Sequence, residues 1–267
     1  MTSRSIPEGW GTYDLESGWL IKERDLFKFR APGSTCLNSL QSGVPGTVEG
    51  LLNNSKGCGA VMRMAPVGLM YDDLEQAFRI ACDLGALTHG HSSGYLSAGV
   101  FAVIIQQIAV GQKLRDAIMV SLEILQEWLG HEEMLQAATQ ALELYDQTQS
   151  SASVSSLALS NLIPQLGQGW VGEEALAISL LCCLSYPYDF RQGVLASVNH
   201  SGDSDSTGSI TGNILGLING LDVIPQEWIN NLRSADIVRQ IGEDLHAGCK
   251  SDSFNTNDEW WDRYPGY

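Results

Sequence analysis

Two aspartates and a hydroxyl fall within four residues at Asp203, Asp205 and Ser206, in the stretch SVNHSGDSDSTGSITGNILGLING. Oxygen donors at this density suit a hard divalent cation, because a turn entering a helix aims several side chains at one centre. A DxDS tetrapeptide is also common turn chemistry, and it reads first as a solvated capping turn with Asp205 or Ser206 at the helix start. An EF-hand is excluded: at position 12, counting Asp203 as the first, stands Ile214, where that loop needs a glutamate.

Two further blocks carry candidate chemistry. In NNSKGCGAVMRMAPVGL, Gly57 and Gly59 free the backbone for a tight path or for close approach to a ligand. Ser55, Lys56 and the nearby N–H groups can cradle a phosphate, although a plain tight loop with a surface lysine accounts for the same residues. In LTHGHSSGY, His89 and His91 stand two apart on a loop, and no third nitrogen or sulfur ligand lies near enough in sequence to complete a metal site. His89 reads equally as a hydrogen-bond donor to a ribose or phosphate and as a loop histidine bonded to backbone.

The elements that must position these blocks are helical. Period-3.6 patterning predicts helices over 72–87, 92–110, 173–184 and 234–247, and a hairpin of 112–129 with 132–145 around Gly130. The segment 92–110 is apolar nearly all round and is expected to be buried. Gly208, Gly212, Gly216 and Gly220 recur every four residues along the helix after the aspartates, a stripe that favours close helix–helix packing over ligand contact. The segment 147–156, QTQSSASVSS, reads as a polar linker, and no internal repeat is present. The tail over 250–267 carries Trp260, Trp261, Tyr264 and Tyr267 and is expected to pack back on the domain.

Composition narrows the partners. A net charge of -16 argues against nucleic acid, since a phosphate-binding surface needs excess Lys and Arg. The longest apolar runs, 98–105 and 175–184, are too short to span a bilayer, so no membrane partner is expected. No apolar leader follows Met1, and six cysteines show no CxxC spacing. A cytoplasmic location is expected, with buried thiols rather than zinc or disulfides.

In this order, SKGCGAVMRMAPVGL, LTHGHSSGY, GQGWVGEEALAISL and VNHSGDSDSTGSITGNILG resemble the ADP-ribosylglycohydrolase family from about Gly18 onward. The resemblance implies an all-α, compact orthogonal helical bundle forming a single domain over 1–267. It implies hydrolysis of ADP-ribose linkages, with ADP-ribose or an ADP-ribosylated protein as partner, in a cleft holding two Mg2+ ions. The family's metal motif falls on Asp203, Asp205 and Ser206. Its ligand loop falls on Ser55, Lys56, Gly57, Cys58 and Gly59, and its Thr-His loop on Thr88 and His89, with Gly94 and Tyr95 following. Trp170, Glu173 and Glu174 match a common stretch without an assigned role, and several relatives carry Asn where Cys58 stands. The catalytic residue stays unassigned. The family's opening G-x-x-x-G-D-A-x-G helix and T-D-D motif are not found, so the chain is expected to lack that N-terminal segment and to present one half of the metal site. That favours oligomerisation, and it keeps open an inactive ADP-ribose-binding module as the alternative to the enzyme.

Overall fold

The computed structural model describes residues 18–28, 30–150, 156–249 and 263–264. The chain divides into two compact units, Gly33–Gln226 and the pair Met1–Pro32 with Glu227–Tyr267. Among the described residues every regular element is a helix, and the one β-type pairing is an isolated antiparallel bridge between Gly57 and Val171. The all-α expectation is met.

The Gly33–Gln226 unit contains α1 (Ser34–Ser42), α2 (Ala65–Met70), α3 (Leu74–Ala86), α4 (Ser92–Ala109), α5 (Leu114–Leu125), α6 (Glu132–Ser150), α7 (Ser156–Leu162), α8 (Gly172–Ser185), α9 (Phe190–Val198) and α10 (Ser204–Asn219). At its centre is α4, against which α2, α3, α5, α8 and α10 pack. Leu96, Phe101, Ile104 and Ile105 of α4 are all at most 1% exposed. Each such side chain contributes roughly 1.5–3 kcal/mol of burial. By length and composition α4 would suit a membrane span, but 83% of it is buried inside the protein, which makes it the core helix.

Local chemistry sets the helix ends. The Asp73 carboxylate accepts from Gln76 N–H at 2.7 Å and opens α3. His91 opens α4, its Nδ1 accepting from Ser93 N–H at 3.1 Å, so this histidine is engaged as a cap. Gly130, at φ 76, makes the turn between α5 and α6. Helix α6 runs to Ser150, into the stretch expected to be linker, because Thr148 is buried and bonds back to the Tyr145 carbonyl at 2.6 Å. The glycine stripe of α10 is only partly packed. A Cβ on Gly208 would meet Val198 at 2.6 Å, whereas one on Gly212 would meet nothing within 4 Å.

The other unit holds nearly all of α11 (Gln226–Asn231) and all of α12 (Ala235–Cys249). There the Asp244 carboxylate accepts from Arg263 Nε at 2.7 Å and from the Tyr264 hydroxyl at 2.6 Å. The Arg263 guanidinium lies 5.1 Å from the Trp19 ring centre. Apart from Arg263 and Tyr264, the 250–267 tail lies outside the described residues.

Candidate functional site

The aspartate turn is held from three sides. The Asp203 N–H donates to the Gln168 carbonyl at 2.8 Å, which ties the turn to the loop before α8. His200 Nδ1 accepts from Gly202 N–H at 3.1 Å, which leaves the proton of the neutral ring on Nε2, facing the Thr207 hydroxyl at 3.1 Å. The fully buried Thr207 hydroxyl in turn donates to the Ser197 carbonyl at 2.6 Å. His200 and Thr207 therefore position the turn, a role the sequence reading did not give them.

Asp203 and Asp205 are hydrogen-bonded to each other. That bond, and then burial, raises the Asp205 carboxyl above its ordinary value. Burial works to raise Asp203 too, but the hydrogen bonds from Asp205 and Cys58 outweigh it and hold that carboxyl low. Two carboxyls this close raise the cost of ionising both, and a bound cation would relieve it.

The glycine loop meets this pair directly. The Cys58 thiol donates to Asp203 Oδ2 at 2.7 Å, and the Ser206 hydroxyl lies 3.3 Å from Cys58 Sγ and 3.4 Å from Met62 Sδ. Burial, then the Asp203 carboxylate, pushes the Cys58 thiol up to about 12, so it stays a donor. Asp203, Asp205, Ser206 and Cys58 thus form one cluster at the start of α10. Its three oxygen-bearing side chains suit a hard cation by donor type, as part of the roughly six oxygens such an ion takes. Among the described residues no group of three or more His, Cys, Asp and Glu side chains forms a complete metal cage.

His89 approaches the same loop from behind. Arg63 Nη2 donates to Thr88 Oγ1 at 2.8 Å, which leaves that hydroxyl to donate to His89 Nδ1 at 2.8 Å. The neutral ring then carries its proton on Nε2. A Cβ on Gly57 or on Gly59 would come within 3.3 Å of His89 Nε2, so a side chain at either position would press the imidazole back by a few tenths of an ångström. Burial, then Arg63, pushes His89 down to about 4, so the ring is neutral near pH 7.

The remaining predicted residues sit around the cluster. The Ser55 hydroxyl accepts from Gly57 N–H at 3.3 Å and lies 3.0 Å from Thr35 Oγ1. The Lys56 ammonium is engaged by Glu173 at 2.6 Å and Glu133 at 2.9 Å. The hydrogen bond it donates to Glu173 is the main cause of its raised pKa. Lys56 thereby clamps the loop to α6 and α8. Tyr95 is buried, with its backbone 3.2 Å from where a Gly85 Cβ would stand, so it packs closely on α3.

One connecting segment, matched in the sequence without an assigned role, has a structural one. Residues 167–171 join both halves of the site: the Trp170 carbonyl accepts from Cys58 N–H at 3.2 Å, the Lys56 carbonyl accepts from Gly172 N–H at 2.7 Å, and Gln168 holds Asp203. Glu174 fixes this loop by accepting from the Gln168 and Gly169 N–H groups at 2.9 and 3.0 Å. Gly167 and Gly169 both take positive φ, and their spacing in GQGW ahead of a paired Glu was the available signal.

The family model for ADP-ribosylglycohydrolase matches residues 8–254. An uncharacterized protein of Archaeoglobus fulgidus is 25% identical over 80% of this chain and 66% of its own length. ADP-ribosylhydrolase ARH3 of Homo sapiens is 25% identical over 72% of this chain and 58% of its own length, and ARH3 of Mus musculus 25% over 72% and 57%. The matched part of the chain spans less than two thirds of these relatives.

Proposed function

The chain belongs to the ADP-ribosylglycohydrolase family, and from that premise we propose that it is a magnesium-dependent hydrolase releasing ADP-ribose from a modified protein side chain or a small-molecule adduct. The observation that carries this reading is the Asp203 carboxylate of the aspartate turn joined at 2.7 Å to Cys58 of the glycine loop, with Ser206 3.3 Å from the same sulfur. The likeness to the ADP-ribosylhydrolases supports the substrate class, and an ADP-ribosylated protein in the cytoplasm is the setting this proposal takes.

Asp203, Asp205 and Ser206 would hold the magnesium ion, which when bound supplies a fixed positive charge that orients the terminal ribose and a water. The protein's own groups do the rest. His89 offers a neutral Nε2–H to a ribose or phosphate oxygen, and Ser55 offers its hydroxyl. Gly57, Cys58 and Gly59 present backbone with little side-chain bulk, which lets the ligand lie close. Lys56 and Tyr95 act behind that surface, one clamping the loop and the other seating α4 on α3. In the net reaction the water oxygen joins the anomeric carbon, the glycosidic bond breaks, and the leaving group takes up the water's proton.

The test is release of free ADP-ribose from ADP-ribosylated arginine and serine peptides, followed by chromatography with Mg2+ and with a chelator. Turnover that needs Mg2+ and is lost in Asp205→Asn is the expected result. Tight ADP-ribose binding without release would make the chain a binding module, and neither binding nor release would end the reading.

A further inference from the structure

We infer that Asn53 is a positioning residue whose amide holds Ser55 of the glycine loop and His89 of the following loop at one fixed spacing, an assignment that rests on Ser55 and His89 being ligand donors. Asn53 makes four hydrogen bonds through one side chain. Its Oδ1 accepts from Ser55 N–H at 2.9 Å and from Gly90 N–H at 3.1 Å. Its Nδ2 donates to the Thr88 carbonyl at 2.9 Å and to the Ser39 hydroxyl at 3.3 Å. An asparagine amide offers two donor hydrogens and two acceptor lone pairs, so its whole capacity is used. The orientation is fixed by the same partners, since the amide turned over would set its NH2 group against two N–H donors.

Ordinary turn chemistry accounts for one of these bonds. An asparagine oxygen accepting from the N–H two residues on, here Ser55, is the common Asx turn. The other three bonds reach Ser39, Thr88 and Gly90, which lie 14, 35 and 37 residues away in the chain. Ser39 belongs to α1, is buried, and donates its own hydroxyl to the Thr88 carbonyl at 3.0 Å. One side chain therefore joins α1, the glycine loop and the loop that carries His89. The backbones are pressed together at this point: a Cβ on Gly90 would run into the Asn53 carbonyl.

The partners of Asn53 bracket His89. The Thr88 carbonyl and the Gly90 N–H belong to the two peptide groups on either side of the His89 α-carbon, and Asn53 holds both. Its Oδ1 holds the Ser55 N–H at the same time. The position of the imidazole relative to the Ser55 hydroxyl is thus set from Asn53, while Asn53 itself acts only through its neighbours. Two donors that must meet one ligand together need such support, because displacements beyond roughly 0.5 Å spoil a binding constellation.

The experiment compares Asn53→Ala and Asn53→Ser with the wild type, reading the affinity for free ADP-ribose by calorimetry and backbone amide exchange by mass spectrometry. Asn53→Ser keeps a short oxygen for the local turn and loses the reach to Thr88. Both variants are expected to bind ADP-ribose about tenfold more weakly, the size of one good hydrogen bond. Amides around Ser55 and Gly90 should exchange faster while those of α4 keep their protection. In a cycle with His89→Ala, the combined loss should fall short of the product of the two single losses, because Asn53 acts through His89. Wild-type affinity in Asn53→Ser would reduce Asn53 to a turn residue and overturn the inference. Losses that multiply, or protection lost from α4 as well, would overturn it too, by making the effect independent of His89 or general to the fold. A wild type that binds no ADP-ribose overturns the ligand-site reading of these loops, and this inference with it.

Discussion

The Cys58 thiol and the Asp203 carboxylate meet at 2.7 Å across 145 residues of chain, and this contact joins the glycine loop to the aspartate turn. Both residues are less than a tenth exposed, so neither partner is readily replaced by water. Removing one partner of a buried hydrogen bond costs about 1–3 kcal/mol. Cys58→Ala is therefore expected to lower the urea stability of the cation-free protein by about 1–2 kcal/mol, while Cys58→Ser, which keeps a donor, stays closer to wild type. Equal denaturation midpoints for the alanine variant and the wild type would show that the contact carries no energy.

That contact also marks where sequence reading ends. Helices α3 and α4 are legible because each is long, periodic and opened by a side-chain cap, Asp73 in one and His91 in the other. Helix α9 is missed, since nine residues with Gly193 among them carry too little pattern. The end of α6 looks polar in sequence, yet Thr148 is buried there by its tertiary neighbours, which no local propensity reports. At the site, the aspartate turn and the glycine loop are each visible as blocks. Their joining through Cys58, and the loop at Trp170 that spans them, depend on chain segments more than a hundred residues apart meeting in space.

Lys56 and Glu173 form the second long-range tie. Glu173 is 6% exposed, its Oε1 lies 2.6 Å from the Lys56 ammonium, and its Oε2 has no hydrogen-bond partner among the described residues. Breaking a buried ion pair from one side costs 3–5 kcal/mol. The Lys56 side chain is 35% exposed, so water recovers part of that cost. Lys56→Met is expected to destabilise by about 1–3 kcal/mol, and the double variant Lys56→Met with Glu173→Leu to recover most of the loss. A double-mutant cycle in urea that gives no coupling energy would show the pair to be incidental.

The buried His89 makes stability depend on pH in a definite direction. Its folded value of about 4 lies below the 6.5 of an unfolded chain, so the unfolded state takes up the proton first as pH falls. Above about pH 6.5 both states are neutral at this ring and it contributes no pH dependence. Between 6.5 and about 4 the fold loses up to about 1.4 kcal/mol per pH unit through this residue, and below about 4 the loss levels off. Moving from pH 7 to pH 5, the wild type should lose about 1–2 kcal/mol more than His89→Gln, which cannot titrate. Urea midpoints of the two proteins that fall in parallel would place the imidazole in a far more solvated setting than the glycine loop provides.

Gly202 tests whether the site depends on backbone approach rather than on side chains alone. A Cβ built on Gly202 would run into the Gln168 carbonyl, the same group that accepts the Asp203 N–H at 2.8 Å. A carbonyl fixed in that hydrogen bond cannot swing aside as a flexible side chain would, so Gly202→Ala must part the aspartate turn from the loop at Trp170. Forcing a methyl into such a contact costs roughly 1–3 kcal/mol. The loss should fall on the cluster as well as on the fold, because Asp203 and Cys58 are held together through that loop. The expected outcome is a protein with wild-type helix content by circular dichroism, a lower urea midpoint, and Mg2+-induced thermal stabilisation weakened by much more than the midpoint shift alone would give. Gly212→Ala is the control, since its Cβ meets nothing within 4 Å and the helix gains about 1 kcal/mol from losing a glycine. If Gly202→Ala behaves like that control, the tight approach of the two loops does not govern the geometry of the carboxylate pair.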